Sequence, residues 1–166
     1  MSDFADVAKS LLHAIKFEQC ATLIPLLSNQ LSQIEVPADI ASLEGAIWVP
    51  VPYHKQKLKQ RGFDLVQRLF DPFFAKLGYP KAAVLSRRQN SAPLYTLSVD
   101  ERKEKLSGLF ELDEKALASV KPKHIVLVDD IVTSGATMTE LTTLIQEKCP
   151  QISLYYLSVC YTPYHD

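Results

Sequence analysis

The sequence predicts an α/β domain with a mostly parallel central sheet flanked by helices, and three observations carry that expectation. Short β-branched and aromatic runs alternate with stretches of helical period along the chain. The 166 residues suffice for one domain (1–166) with a sizeable core, and no repeat, low-complexity segment or second domain interrupts them. Near the end, the apolar run Ile125-Val126-Leu127-Val128 passes into two adjacent carboxylates and then a small-residue loop that opens a helix. Ligands of open α/β sheets bind at such a carboxyl edge.

The elements follow in order. Phe4, Val7, Leu11 and Ile15 recur at helical spacing, as do Cys20, Leu23, Leu27, Leu31 and Ile34. They predict one or two amphipathic helices within a helical segment 1–35, with Pro25 at a helix start or kink. Residues 36–39 form a connector. Residues 46–52 read as a short buried strand whose prolines fall at its end, where lost ladder donors matter least. Helix is expected over 63–77, ended by Gly78-Tyr79-Pro80, then a short strand over 82–85. Residues 86–100 show no period and form a long loop, the kind that is functional or mobile in compact domains. A strand over 106–112, a short helix over 113–119, a buried strand over 124–128, a helix over 137–147 and a last strand over 152–161 complete the chain.

Composition narrows the function. Apolar residues make up 47% and charged residues 22%, as in ordinary soluble globular proteins. The formal net charge of −1 gives no whole-molecule attraction to nucleic acid, so any such binding uses a local patch. Cys20, Cys149 and Cys160 are odd in number and form no CxxC pair, so neither a zinc module nor a disulfide framework is expected. Buried thiols in a reducing cytoplasm are the simpler expectation. The start MSDFADVAK is acidic and lacks a long apolar core, so no secretory leader is expected, and no apolar run is long enough to span a bilayer.

The chemistry concentrates at 129–137. Asp129 and Asp130 repel one another and need a cation or hydroxyl donors nearby. Ribose hydroxyls with Mg²⁺ close by would meet that need. Thr133, Ser134, Gly135, Ala136 and Thr137 have small side chains and open a helix. Their backbone N–H groups can wrap a phosphate, helped by the positive end of the helix dipole. The plainer alternative has Asp130 starting a turn and Thr137 capping a helix. The juxtaposition of both features after an apolar strand favours a ribose-5-phosphate clamp. A Walker A loop is absent, and too little chain follows the acid pair for a response-regulator receiver.

The segment Val126-Leu127-Val128-Asp129-Asp130-Ile131-Val132-Thr133-Ser134-Gly135-Ala136-Thr137 resembles the phosphoribosyl-pyrophosphate motif of type I phosphoribosyltransferases. That resemblance implies the type I fold, with Asp129 and Asp130 on the ribose hydroxyls and residues 133–137 on the 5-phosphate. Val49-Pro50-Val51-Pro52-Tyr53-His54 with Arg61-Gly62-Phe63 is similar to the VPVP…RGF signature of the ComF competence family. Residues 85–88, Arg102 and Leu106-Ser107-Gly108-Leu109-Phe110 resemble its central segment, and residues 12–17 its lKy stretch. Departures stand beside the match. Many ComF proteins carry an N-terminal zinc module, which this sequence lacks. The family's RGFNQ reads Arg61-Gly62-Phe63-Asp64-Leu65 here, a common glutamine falls on Leu94, and a common asparagine falls on Lys105. Each change removes an amide's hydrogen-bonding capacity.

Further site residues follow from these readings. Residues 54–61 put cations on alternate positions, and an extended segment would line them along one side, suited to phosphate oxygens. A solvated basic face is the alternative. In the type I fold the loop after the first strand faces the pyrophosphate, which implies that role for Arg61, joined by Arg87, Arg88 and Arg102. Residues 86–102 would be the flexible hood that closes during transfer. Tyr95 is a stacking or a packing residue, His54 an isolated histidine, and Trp48 a core residue. The ComF resemblance also implies a rival reading: a cytoplasmic, non-catalytic competence factor for natural transformation. It would contact single-stranded DNA through Lys55, Lys57 and Lys59 and work with a DNA-uptake helicase. The acceptor substrate and the oligomeric state, a dimer included, stay open.

Overall fold

Helix α1 (Ser2–Phe17) begins the fold, followed by a 3₁₀ turn (Ala21–Leu23) and α2 (Ile24–Gln33). The computed structural model describes residues 2–18, 20–88 and 108–161, with side chains from Asp6 onward. Pro25 lies in the first turn of α2, where its missing N–H has no intrahelical partner to lose. The expected connector contains a single helical turn, α3 (Ala38–Ala41), led in by Pro37 and anchored by buried Ile40.

Strand β1 (Ala46–Pro50) leads to α4 (Lys55–Arg61) and α5 (Leu65–Leu77). Helix α5 starts two residues later than expected because the Asp64 side chain accepts the Gln67 amide and fixes the N-cap there. Gly78 ends it in the left-handed conformation (φ 72°), as its position predicted. The strand expected over 82–85 falls elsewhere. Trp48 N–H donates to Pro80 and its carbonyl accepts from Ala82, so Lys81 bridges β1 in parallel. The chain then forms β2 (Leu85–Arg87), antiparallel to β3 (Phe110–Leu112). Helix α6 (Glu114–Val120) is N-capped by Asp113. Strand β4 (His124–Val132), α7 (Ala136–Lys148) and β5 (Ser153–Tyr161) close the fold.

The main sheet has the order β1-β4-β5 and is parallel throughout, with helices on both faces. Side chains alternate across it. Trp48, Val126 and Val128 pack with α1, α2 and α5, and Trp48 stacks on Phe74 at 4.9 Å. Ile47, Val49, Ile125 and Leu127 pack on the other face with Leu141 and Ile145 of α7. Trp48 is thus a core residue, as expected. Cys160 is buried, while Cys20 and Cys149 are only half-buried. No helix among the described residues is long and apolar enough to cross a membrane.

One boundary matters for the site. The sequence places the end of β4 at Val128, but the strand runs four residues further. Pairing with β1 stops at Pro50–Val128, whereas β5 continues alongside through Asp129–Ser158, Ile131–Cys160 and Val132–Tyr161. The acid pair therefore lies inside β4, on a stretch that has a neighbouring strand on one flank.

Candidate functional site

Because the strand continues through the pair, Asp129 and Asp130 belong to opposite faces of the sheet. Asp130 has the parity of Val126 and Val128 and meets α1. It is 3% exposed. Lys16 Nζ donates to its Oδ1 at 2.6 Å, and the Tyr53 hydroxyl donates to its Oδ2 at 2.5 Å. A buried carboxylate is tolerated only when paired and hydrogen-bonded, and these two donors meet that requirement. Burial and then the Asp130 charge push the Tyr53 hydroxyl far up, so it stays a protonated donor.

Asp129 has the parity of Ile125 and Leu127, the face covered by α7. It is half-buried, and its Oδ1 accepts the Asp130 amide at 2.8 Å. Burial first, and the Asp130 carboxylate next, push its carboxyl up to about 7. Asp129 would therefore gain most from a cation or hydroxyl donors brought in by a ligand, whereas Asp130 already has its partners.

The loop that follows is open. Thr133, Ser134 and Ala136 are exposed, and Gly135 and Thr137 half-exposed. Gly135 adopts a left-handed conformation (φ 75°) immediately before α7. That turn suits a glycine. The helix thus begins at Ala136, and Thr137 lies inside its first turn rather than capping it. The Ser134 hydroxyl sits 3.4 Å from the Ala136 amide.

The basic segment departs from the extended reading. It is a helix, because KQKLKQR consists of good helix formers. The His54 ring accepts the Gln56 amide at its start, and Gly62 (φ 76°) donates to Leu58 at its end. Residues two apart on a helix face opposite ways, so the three lysines do not form one stripe. Lys55 lines a cavity of about 740 Å³ beside β1, together with Asp64, Arg87, Arg88 and Glu111. Lys57 lines a different cavity of about 500 Å³ between α1 and α4. Lys59 lies exposed in the last turn of α4.

The arginines separate likewise. Arg61 lies over the Tyr53 ring at 5.7 Å and lines the α1–α4 cavity, whereas Arg87 and Arg88 line the larger one. Arg87 lies over Phe110 at 5.6 Å. Arg88 Nε donates to Glu111 at 2.7 Å in an exposed pair, an interaction worth little by itself. Glu140 of α7 accepts the Leu109 amide at 2.9 Å and so fixes where β3 begins. Burial pushes its carboxyl up, opposed by that amide and by Arg87. Arg102, Tyr95, Leu94, Lys105 and the hood beyond Arg88 lie outside the described residues.

Two residues were not singled out from the sequence: Lys16 and Tyr53. Their signal was available. A carboxylate in phase with two buried valines demands a buried donor, and Lys16 lies in the 12–17 stretch among apolar neighbours.

A parallel sheet, an acid pair in its central strand and a small-residue loop opening a helix are the features of a phosphoribosyltransferase-type domain. Residues 67–158, more than half of the chain, match the phosphoribosyl transferase domain family, and the chain belongs to that family. Among curated proteins it is 26% identical over 156 residues to the DNA utilization protein YhgH of Escherichia coli (strain K12). It is 29% identical over 149 residues to the protein of the same name from Salmonella typhi. Each alignment covers 87% of this chain and 63% of the relative, so the chain spans less than two thirds of those proteins' length.

Proposed function

We propose that this ComF-type domain binds 5-phosphoribosyl 1-pyrophosphate at the carboxyl end of β4, with transfer of the phosphoribosyl group as its chemistry. The observation that carries the reading is the exposed 133–137 loop, turned by Gly135 into the start of α7, beside a carboxylate on the same sheet face. The loop amides and the helix dipole hold the 5-phosphate. Asp129 accepts from the ribose hydroxyls, and Asp130 orients that strand from below through Lys16 and Tyr53. Arg87, Arg88 and Lys55 line the cavity beside β1, which none of residues 129–137 lines and which reaches the acid pair through Tyr53; a pyrophosphate or an acceptor base would lie there. A nitrogen nucleophile of the acceptor would form the new bond to the anomeric carbon as the bond to pyrophosphate breaks, through a transition state with oxocarbenium character, so the protein's work is positioning, charge neutralisation and exclusion of water.

Mg²⁺ fits this arrangement only as a companion of the substrate. Among the described residues no group of three or more His, Cys, Asp or Glu side chains could hold a metal, and Lys16 already occupies Asp130. An ion carried in on the pyrophosphate would neutralise leaving-group charge with Asp129 nearby.

Calorimetric titration of phosphoribosyl pyrophosphate with and without Mg²⁺ tests the pocket. Asp129→Asn and Thr133→Asp should each weaken binding at least tenfold while the protein stays folded. Unchanged affinity in both variants would sink the clamp. Pyrophosphate release with a panel of bases then separates a transferase from a binder.

A second reading is favoured by the name of the curated relatives and by the basic helix α4. The domain serves DNA utilization, holding single-stranded DNA in the cytoplasm alongside an uptake helicase. Its signature is oligonucleotide binding that falls steeply with salt.

A further inference from the structure

The cavity between α1 and α4 is not part of the ribose clamp. Its lining combines three cations, Lys16, Lys57 and Arg61, with three aromatic rings, Phe17, Tyr53 and Phe63. No carboxylate lines it among the described residues. Phe17, at the last position of α1, is 72% exposed, an unusual placement for a phenylalanine on a helix end. Lys16 is committed to Asp130, which is buried behind the lining, and this leaves Lys57 and Arg61 as the cations available to an anion.

We propose that this cleft binds one nucleotide unit of a single-stranded nucleic-acid chain, the base stacked on Phe17 or Phe63 and the backbone phosphate on Lys57 and Arg61. Aromatic faces beside a cationic track are the chemistry by which single strands are held without sequence preference. The cavity of about 500 Å³ suits one nucleotide unit. A chain is favoured over a free nucleotide because α4 continues the positive surface: Lys59 stands exposed outside the cleft, and no acid lies anywhere in the helix. The proposal deepens the nucleic-acid reading above and rests on it. The helix, not an extended strand, sets which lysine takes part, namely Lys57.

The test is fluorescence polarisation of a fluorescein-labelled twelve-nucleotide oligothymidylate with the full chain at low salt. Phe17→Ala is expected to weaken binding about tenfold. Phe17→Trp should retain it. Lys57→Glu should weaken it and flatten its salt dependence. Phosphoribosyl pyrophosphate binding should be unchanged in Phe17→Ala, which keeps the two sites distinguishable. Oligonucleotide binding that is intact in both Phe17→Ala and Lys57→Glu would overturn the cleft while leaving the nucleic-acid reading standing. No oligonucleotide binding at all would overturn both. Displacement by thymidine 5′-monophosphate at equal nucleotide concentration would overturn the chain as occupant in favour of a free nucleotide.

Discussion

Replacing Lys16 with methionine should expose how much of the site depends on α1. The Lys16 side chain is 16% exposed and that of Asp130 5%, and the two meet at 2.6 Å. Methionine keeps the length of the stem and removes the charge. Among the described residues Asp130 then retains the Tyr53 hydroxyl as its side-chain donor, with Asp129 still beside it. Removing one partner of a buried ion pair typically costs 3–5 kcal/mol, and the partial exposure of Lys16 places the expected loss near ~3 kcal/mol. For a chain of this size that corresponds to a fall in Tm of roughly 6–12 °C. Urea denaturation should show the same loss as a lower midpoint with an unchanged slope. Adding Asp130→Asn to Lys16→Met removes the stranded charge and should restore most of the stability, since the cost lies in the unpaired carboxylate rather than in lost packing. A Lys16→Met protein within ~1 kcal/mol of the wild type, or a double variant no more stable than the single one, would refute the reasoning about a buried and obligatory pair.

Three other outcomes can be checked alongside. Asp129 is raised from its ordinary 3.8 to about 7, so the folded state holds a proton the unfolded chain releases, and stability falls as pH climbs through that window. The full displacement corresponds to at most ~4 kcal/mol; Asp129→Asn should therefore be no more stable than wild type near pH 4 and clearly more stable near pH 8, read by thermal melts across pH. Gly135→Ala meets no atom within 4 Å, so its cost is the left-handed backbone alone, about 1–2 kcal/mol by denaturation. The buried Ser28 hydroxyl donates to the Leu69 carbonyl at 2.8 Å and ties α2 to α5, and Ser28→Ala should cost about 1 kcal/mol in the same assay.

Much of this molecule was legible in its residues. The helices read from Leu11 and Ile15, and from Leu27 and Leu31, formed with those positions buried or half-buried against the sheet and α5, whereas Val7 of the same expected stripe is exposed and Ala8 and Leu12 take the buried places. The alternation of strand and helix gave the parallel sheet directly. Where the reading failed, tertiary context decided. Periodicity along β4 ends at Val128, but the strand's length is set by β5 beside it, and so is the fact that neighbouring acids face apart. Residues 55–61 look alternately charged whether extended or helical; the caps at His54 and Gly62 chose the helix. The link between Lys16 and Asp130 spans 114 positions and leaves no local trace. The two acids and the small-residue loop were recognisable from composition and order, whereas the different partners of the two acids required the sheet.

The molecule contains one tryptophan, and it lies flat against Phe74 inside the layer that α1, α2 and α5 build on the sheet. Its emission therefore reports on that layer alone, the side on which Asp130 is anchored. The opposite layer, under α7 and the 133–137 loop, contains no indole. Tryptophan emission thus follows one half and backbone dichroism the whole, so a disturbance that starts in the α7 half changes the dichroism before it changes the emission.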